Sequence, residues 1–241
     1  MAVWQERAEL LFKEEGLEKL KNSNVLIVGL GGVGSFAAEF IARAGVGKMT
    51  IVDGDTVDIT NINRQLPALH STVGQNKVDL VGDRLMDINP ELQLTRINEF
   101  LSPERTHEIV TTDFDYVLDC IDSVTPKVNL IIAAKRKKVK VISNMGAGGK
   151  FLASKVQVKD ISKTDVCPLA KNIRKRLKQE KISKGIKAVF STEAPDETSV
   201  KLTDGKNYKK SFYGTNSWMP ALFGLHSAET VIQYLLKKEN N

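Results

Sequence analysis

The chain has 241 residues, a formal net charge of +6 and 41% hydrophobic residues, a length that allows a sizeable core and favours one domain. It contains no apolar run of roughly 18 residues and no charged-then-apolar leader, which excludes a membrane span and a signal peptide and indicates a cytoplasmic protein. Two cysteines exclude a disulfide framework, and without a C-x-x-C pair no structural zinc site is predicted.

Strands and helices are predicted to alternate along most of the chain. This alternation indicates an α/β fold with a Rossmann-like, mostly parallel sheet, helices on both faces and an elaborated C-terminal part. In chain order the predicted elements are an amphipathic helix within residues 1–22, strand Val25–Val28, helix Phe36–Ala44, strand Met49–Val52, helix Gly74–Ile88, strand Leu92–Ile97, helix Pro103–Val110, strand Tyr116–Ile121, a helix from about Val124, strand Val139–Ser143, strand Phe151–Val158, a basic helix over 168–185 and a buried helix over Trp218–Leu236.

A glycine-rich turn after the first strand indicates a nucleotide site. Gly29, Gly31 and Gly34 fit the G-x-G-x-x-G spacing, in which missing β-carbons permit a tight turn and let phosphates approach a helix N-terminus. Asp53 follows the next strand, where a ribose-binding carboxylate belongs. Glycine spacing alone fits NAD as well as ATP.

The polar segment from Asp53 to Gln65 favours a triphosphate. It combines acids, amides and Arg64 just past a strand end, whereas an NAD domain needs one carboxylate there. A triphosphate site also needs cations, because several negative oxygens crowd around the transferring phosphorus.

These motifs resemble the ubiquitin-activating-enzyme-like adenylyltransferase superfamily, whose hallmark is G-x-G-G-x-G, an acid-rich strand end and then N-x-x-R-Q. The resemblance covers nearly the whole chain, and it is strongest to the tRNA threonylcarbamoyladenosine dehydratase branch. Many sulfur-carrier members have two C-x-x-C pairs that this chain lacks. The segments similar to the dehydratase branch are Asp119–Ser123, Gly146–Gly149, Asp165–Ala170 and Val189–Glu193.

The resemblance implies an ATP site made from several separated residues. Arg64, Lys77 and Arg7 would offset phosphate charge as catalytic residues, with Arg7 often supplied by the partner subunit of a dimer, and catalytic Asp122 would hold Mg²⁺ against the phosphates. The full ATP-binding set implied is Gly29, Gly31, Gly32, Gly34, Asp53, Asp55, Asn61, Arg64, Gln65, Lys77 and Asp122.

Structural roles remain open for the same residues. Asp122 could instead cap the helix that starts near Val124, and Lys77 and Arg7 could be exposed helix residues. Cys167 could form a thioester with a carrier protein, although no base stands beside it in the sequence.

The positive charge is concentrated in one third of the chain. Residues 127–187 carry 18 Lys and Arg against 3 Asp and Glu, whereas residues 1–126 carry 11 against 20. Such asymmetry is typical of a polyanion-binding face, and a solvated lysine-rich surface is the alternative. The residues predicted to bind RNA are Arg174, Lys175, Arg176 and Lys178, with Lys206, Lys209, Lys210, Tyr208, Phe212 and Tyr213 nearby.

The resemblance therefore implies an ATP- and magnesium-dependent enzyme that adenylates the threonylcarbamoyl carboxylate on tRNA and closes a ring with release of AMP. We expect one domain over 1–241, with an ATP-binding part at 1–145 and a substrate-facing part at 146–241. A homodimer and a sulfur-transfer or carrier partner are also implied. The alternatives are an adenylyltransferase for a ubiquitin-like sulfur carrier, an NAD-dependent dehydrogenase and a non-catalytic nucleotide-binding protein.

Overall fold

The computed structural model describes residues 3–202 and 211–238. Its strands are β1 (Asn24–Val28), β2 (Lys48–Val52), β3 (Gln93–Ile97), β4 (Tyr116–Asp119), β5 (Lys140–Asn144), β6 (Val156–Asp160), β7 (Lys187–Ser191), β8 (Val200–Leu202) and β9 (Ser211–Tyr213). Its α-helices are α1 (Glu6–Lys21), α2 (Gly34–Arg43), α3 (Lys77–Ile88), α4 (Pro103–Ile109), α5 (Val124–Arg136), α6 (Pro168–Gln179) and α7 (Trp218–Lys237).

A seven-stranded sheet in the order β3-β2-β1-β4-β5-β7-β6 forms the framework of the described residues. All neighbouring strands are parallel except β6, which runs antiparallel to β7. Strands β8 and β9 form a separate antiparallel pair. The mostly parallel α/β sheet predicted from the sequence is confirmed.

Two hydrophobic cores lie on opposite faces of the sheet. The alternation of a strand divides β1 between them, with Val25 and Ile27 in one core and Leu26 and Val28 in the other. Helices α1, α2, α3 and α7 supply the first core, and α4, α5 and α6 supply the second. The carboxyl ends of β1, β2, β4 and β5 therefore share one edge, where ligands of such sheets bind.

Two predicted elements differ in extent. The strand expected from Phe151 begins only at Val156, because residues 153–155 form a 3₁₀ turn. The basic helix expected to reach residue 185 ends at Gln179, since Lys181 and Gly185 adopt positive φ angles of 59° and 79° that a right-handed helix cannot hold.

The first helix and the seventh strand add detail that the sequence did not predict. Helix α1 is interrupted at Lys13, whose φ is 62°. Strand β7 lies between β5 and β6, within a segment for which the sequence indicates a motif and no strand. No helix in the described ranges is long and apolar enough to cross a membrane.

Candidate active site

The turn after β1 leaves no room for side chains at three of its four glycines. Gly29 has a φ of 91°, and a β-carbon there would lie 2.9 Å from the carbonyl oxygen of Cys120. A β-carbon on Gly34 would collide with the carbonyl oxygen of Gly29. The N-cap residue of α2, Val33, carries no side-chain acceptor, so this helix N-terminus suits an anionic ligand.

Gly31 differs from its neighbours, because the protein itself would accommodate a β-carbon there. The nearest atom, the Gln65 Nε2, would lie at an ordinary contact distance of 3.6 Å. In contrast, a β-carbon on Gly32 would lie 2.9 Å from the Cβ of Pro220. The absence of a side chain at Gly31 therefore leaves space on the ligand side of the turn.

Asp53 joins the glycine turn to the end of β2. Its Oδ2 accepts the backbone N–H of Leu30 at 2.6 Å, and its Oδ1 accepts that of Asp55 at 2.8 Å. Burial raises the pKa of the Asp53 carboxyl, while the two N–H donors act in the opposite direction. Asp53 thus holds the backbone of the glycine turn and of the loop after β2. This structural role adds to the ribose contact predicted from the sequence.

Lys77 is buried at the first position of α3, which excludes its interpretation as an exposed lysine. Its Nζ lies 3.1 Å from Oδ2 of Asp55, and its backbone N–H donates to the Asp55 carbonyl at 3.0 Å. The Asp55 side chain is 49% exposed, so the pair is open to solvent on one side.

Arg64 and Asp122 lie near each other, although they follow different strands. Burial lowers the pKa of Arg64, and the opposing effect comes from the carboxylates of Asp122 and Asp58. Arg64 Nη1 donates to the Thr60 carbonyl at 2.9 Å and to Asn63 Oδ1 at 2.8 Å. The Arg64 guanidinium and the Asp122 carboxylate therefore interact electrostatically at the carboxyl edge of the sheet.

The two amides of the N-x-x-R-Q segment have different surroundings. Asn61 is buried, and its Oδ1 accepts the backbone N–H of Asp58 at 3.2 Å, which shapes the loop. The Oε1 of Gln65 is buried without a hydrogen-bond partner among the described residues. A buried acceptor without a donor is unusual and suits a site that receives a ligand.

Asp122 is exposed beyond β4. The N-cap of α5 is Ser123, not Asp122, and the Ser123 hydroxyl lies 3.3 Å from Asp122 Oδ1. No group of three or more potential metal-binding side chains occurs in the described part of the chain. One carboxylate is sufficient for Mg²⁺, which commonly binds one or two carboxylates together with substrate phosphates.

Arg7 does not join this cluster in the described structure. It is exposed in the first turn of α1, and nearby Gln5 lies against Gly45, in the turn that precedes β2. That turn is at the amino end of β2, whereas Asp53 follows its carboxyl end.

The four predicted RNA-binding residues divide into two pairs. Lys175 and Lys178 are exposed. Arg174 is half-buried and donates to the carbonyl and hydroxyl of Thr164, and Arg176 Nη1 donates to Thr125 Oγ1 at 2.9 Å. Because Thr125 is in the first turn of α5, helix α6 lies beside the Asp122 turn. The neighbouring residues also predicted for this surface at Lys206, Tyr208, Lys209 and Lys210 lie outside the described residues.

The turn after β5 is closed by a buried lysine. Lys150 Nζ donates to the Gly146 carbonyl at 2.7 Å. Burial lowers the pKa of Lys150, and the charges of Cys167 and Glu193 act in the opposite direction. Glu193 accepts the backbone N–H groups of Phe151 and Leu152 at 3.1 and 2.8 Å.

The turn after β5 is also connected to the loop that bears Arg64, called here the arginine loop. Asn216 Nδ2 donates to the Lys150 carbonyl at 2.7 Å, and Asn63 Nδ2 donates to the Thr215 carbonyl at 2.8 Å. Sequence reasoning missed this connection, because no local pattern relates residues so far apart in the chain.

Sequence reasoning also missed an ion pair beneath the Asp122 turn. Lys127 Nζ lies 2.7 Å from Asp119 Oδ2, and both side chains are 0% exposed. The sequence offers one indication of this pair, because each charged residue adjoins an apolar run: Asp119 is at the end of β4, and Lys127 is within α5.

The two cysteines have different surroundings. Burial raises the pKa of the Cys120 thiol to about 12, which disfavours the reactive thiolate form. Cys167 is also buried, but it interacts electrostatically with Lys150, and a thioester role for it stays a hypothesis.

The chain is similar to known proteins over nearly its whole length. The ThiF family model matches residues 5–241. A tRNA threonylcarbamoyladenosine dehydratase of Bacillus subtilis is 42% identical over 238 residues, covering 96% of this chain and 94% of the relative. The solved structure of the Escherichia coli tRNA N6-threonylcarbamoyladenosine dehydratase in complex with ATP has a TM-score of 0.87 and 34% identity, covering 98% of this chain and 96% of that one.

A sulfur-carrier type of relative is more distant. The molybdopterin-synthase adenylyltransferase of Escherichia coli is 41% identical, but over only 132 residues, or 55% of this chain. The chain therefore belongs to the ThiF family and, within it, to the tRNA threonylcarbamoyladenosine dehydratases.

Proposed function

We propose that the protein is an ATP-dependent tRNA threonylcarbamoyladenosine dehydratase. One observation carries this proposal: the hydrogen bond from Arg176 to Thr125 brings the basic helix α6 next to the turn that bears Asp122. A surface suited to RNA and a site suited to a nucleoside triphosphate thereby adjoin, as the reaction requires.

The glycine turn, Asp53 and Gln65 fit ATP. The space over Gly31 would admit the phosphates, and the Asp53 carboxylate would contact the ribose while holding the turn. The unpartnered Gln65 Oε1 would accept a hydrogen bond from the nucleotide. ATP would thus bind to residues 1–145, and the modified nucleoside would face residues 146–241.

Arg64 and Lys77 would offset charge on the phosphates, and Asp122 would hold Mg²⁺. Bound Mg²⁺ supplies further neutralisation of phosphate oxygens. The proximity of Arg64 to Asp122 and of Lys77 to Asp55 supports these roles, because preorganised charges lower the barrier where negative charge develops.

The chemistry follows from the weakness of a carboxylate as an electrophile. The threonylcarbamoyl carboxylate oxygen attacks the α-phosphorus of ATP, and pyrophosphate leaves. The resulting acyl-adenylate has AMP as its leaving group, so a nucleophile within the threonylcarbamoyl group closes a ring and expels AMP. The net change in the nucleoside is loss of one water, and no enzyme thiol takes part.

We place the tRNA backbone along Lys175 and Lys178, which are exposed on α6. Arg174 and Arg176 would support this surface through their bonds to Thr164 and Thr125. Backbone contacts of this kind position RNA without reading its sequence. The protein would carry out this reaction in the cytoplasm.

We further propose a homodimer in which Arg7 acts on the partner's ATP. Arg7 is exposed, and Gln5 near it contacts the turn at the amino end of β2, away from its own Asp53. Apolar side chains around it are exposed and suit a protein interface. They are Val3, Trp4, Leu10 and Leu11.

The test is incubation of the protein with ATP, Mg²⁺ and tRNA bearing threonylcarbamoyladenosine, followed by nucleoside mass spectrometry. We expect loss of one water that requires ATP and disappears in Asp122→Ala. An unchanged nucleoside, together with ATP–pyrophosphate exchange stimulated by a ubiquitin-like carrier protein, would contradict the proposal and favour sulfur-carrier activation.

A further inference from the structure

A sealed ion pair lies directly beneath the turn that carries Asp122. Lys127 Nζ donates to Asp119 Oδ2 at 2.7 Å, to the Asn144 carbonyl at 2.8 Å and to Ser143 Oγ at 3.5 Å. An ammonium group has three donors, and each of them has an acceptor here. Lys127 therefore joins the end of β4 to the end of β5.

Asp119 is held from several sides. Its Oδ2 also accepts the Ser143 hydroxyl at 2.5 Å, and its Oδ1 accepts the backbone N–H of Ile121 at 3.1 Å. Its carbonyl accepts Asn144 Nδ2 at 3.1 Å, and the Ser227 hydroxyl of α7 donates to Asn144 Oδ1 at 2.8 Å. The network thus fixes the backbone at Ile121, one residue before Asp122.

The turn that carries Asp122 also contacts the glycine turn after β1. The Cys120 carbonyl would lie 2.9 Å from a β-carbon on Gly29, so a displacement of the turn would change the space around the glycines. Asp122 and Arg64 interact electrostatically across this region. The buried ammonium group of Lys127 is therefore linked to the glycine turn and to the region of Arg64 and Asp122, the two parts of the proposed ATP site.

Stability alone does not account for such a pair. Removing two charges from water is costly, and apolar side chains of similar volume are often equally stabilising in their place. A hydrogen-bonded pair does, however, fix the direction of its partners in a way that apolar packing does not.

We propose that Lys127 is a positioning residue that acts through Asp119 to hold the Cys120–Asp122 turn, and with it the Asp122 carboxylate, in register with Arg64. The proposal rests on the proposed role of Asp122 as the magnesium-binding carboxylate of an ATP site. Lys127 itself touches neither ATP nor the modified nucleoside.

The test uses the double variant Lys127→Met/Asp119→Leu, which removes both charges and leaves neither unpaired. Its first measurement is the dissociation constant of ATP in EDTA and in Mg²⁺, which needs no tRNA. We expect the affinity in Mg²⁺ to fall more than the affinity in EDTA, so that the gain in affinity on adding Mg²⁺ is lost. Its turnover with tRNA should fall by about 10²-fold, as expected when a reacting group is misplaced by about 1 Å.

Leu235→Ala is the matched control for a purely structural effect. Leu235 is fully buried near the end of α7, remote from Ser227 in the helix, so this variant should lower the melting temperature and leave the gain from Mg²⁺ unchanged. If the double variant does not fold, Ser143→Ala keeps the ion pair but removes the hydrogen bonds that Ser143 makes with Asp119 and Lys127. It should reduce turnover by about tenfold.

The outcomes separate the two proposals. A double variant that keeps the wild-type gain from Mg²⁺, or loses ATP affinity equally with and without the metal, would overturn the role of Lys127. Failure of the wild-type protein to dehydrate the tRNA would instead contradict the proposed function, and the ATP measurement would still decide the role of Lys127.

Discussion

The site contains two lysine–aspartate pairs that differ in their surroundings. In each pair an aspartate at or just beyond a strand end contacts a lysine in the first turns of a helix. Lys77 begins α3 and pairs with Asp55 at 3.1 Å, and the Asp55 side chain is half exposed. Lys127 lies in the first turns of α5 and pairs with Asp119 at 2.7 Å, with both side chains fully buried. In the proposed function, Lys77 of the open pair exchanges Asp55 for a ligand phosphate, whereas the sealed pair holds the protein in one arrangement.

The largest contrast should appear when each lysine is replaced singly by methionine. Lys127→Met leaves Asp119 charged and buried, which should lower the free energy of unfolding by about 3–5 kcal/mol. Lys77→Met leaves Asp55 in contact with water, and its loss should be below about 1 kcal/mol. Urea unfolding of both variants measures the difference; equal losses would mean that exposure does not distinguish the pairs.

Catalysis should show the reverse order. Arg64→Ala and Lys77→Met should each reduce turnover by about 10²–10³-fold, because each removes a charge prearranged for the phosphates. Circular dichroism should remain that of the wild type. Near-normal dehydration of tRNA by both folded variants would contradict the assignment of these residues.

These roles could be predicted only in part. Strands β1 to β5, the glycine turn and the positions of Asp53 and Asp122 followed from apolar runs and from the rule that ligands bind at the carboxyl ends of parallel strands. The sealed pair could not be predicted, because a lysine inside an amphipathic helix gives no sign of which strand end it faces. The end of the basic helix at Gln179 was also missed, since the lysines continue past it without a proline.

Two glycines of the turn after β1 should differ in whether they tolerate alanine. Gly34→Ala should not fold, because its methyl group would meet the Gly29 carbonyl oxygen. Gly31→Ala should fold normally, since it meets only the flexible Gln65 side chain at 3.6 Å, but its ATP affinity should fall by about tenfold or more. Isothermal titration measures this effect, and unchanged affinity would mean that phosphates do not approach Gly31.

The smallest effect is expected on the basic surface. Lys175→Ala and Lys178→Ala should each weaken tRNA binding and reduce the slope of log affinity against log salt by about 1. ATP affinity should remain unchanged in both. A salt slope identical to that of the wild type would indicate that α6 does not contact phosphates.

The hydrogen bond between Asn63 and the Thr215 carbonyl joins residues 152 positions apart, and this separation has a consequence for synthesis. Contacts between distant residues form late, because the intervening chain must first emerge and fold. A ribosome-bound chain that ends before residue 215 can contain the glycine turn and the sheet strands, but its arginine loop lacks this support. The loop that bears Arg64 is therefore completed only after residue 215 has been made.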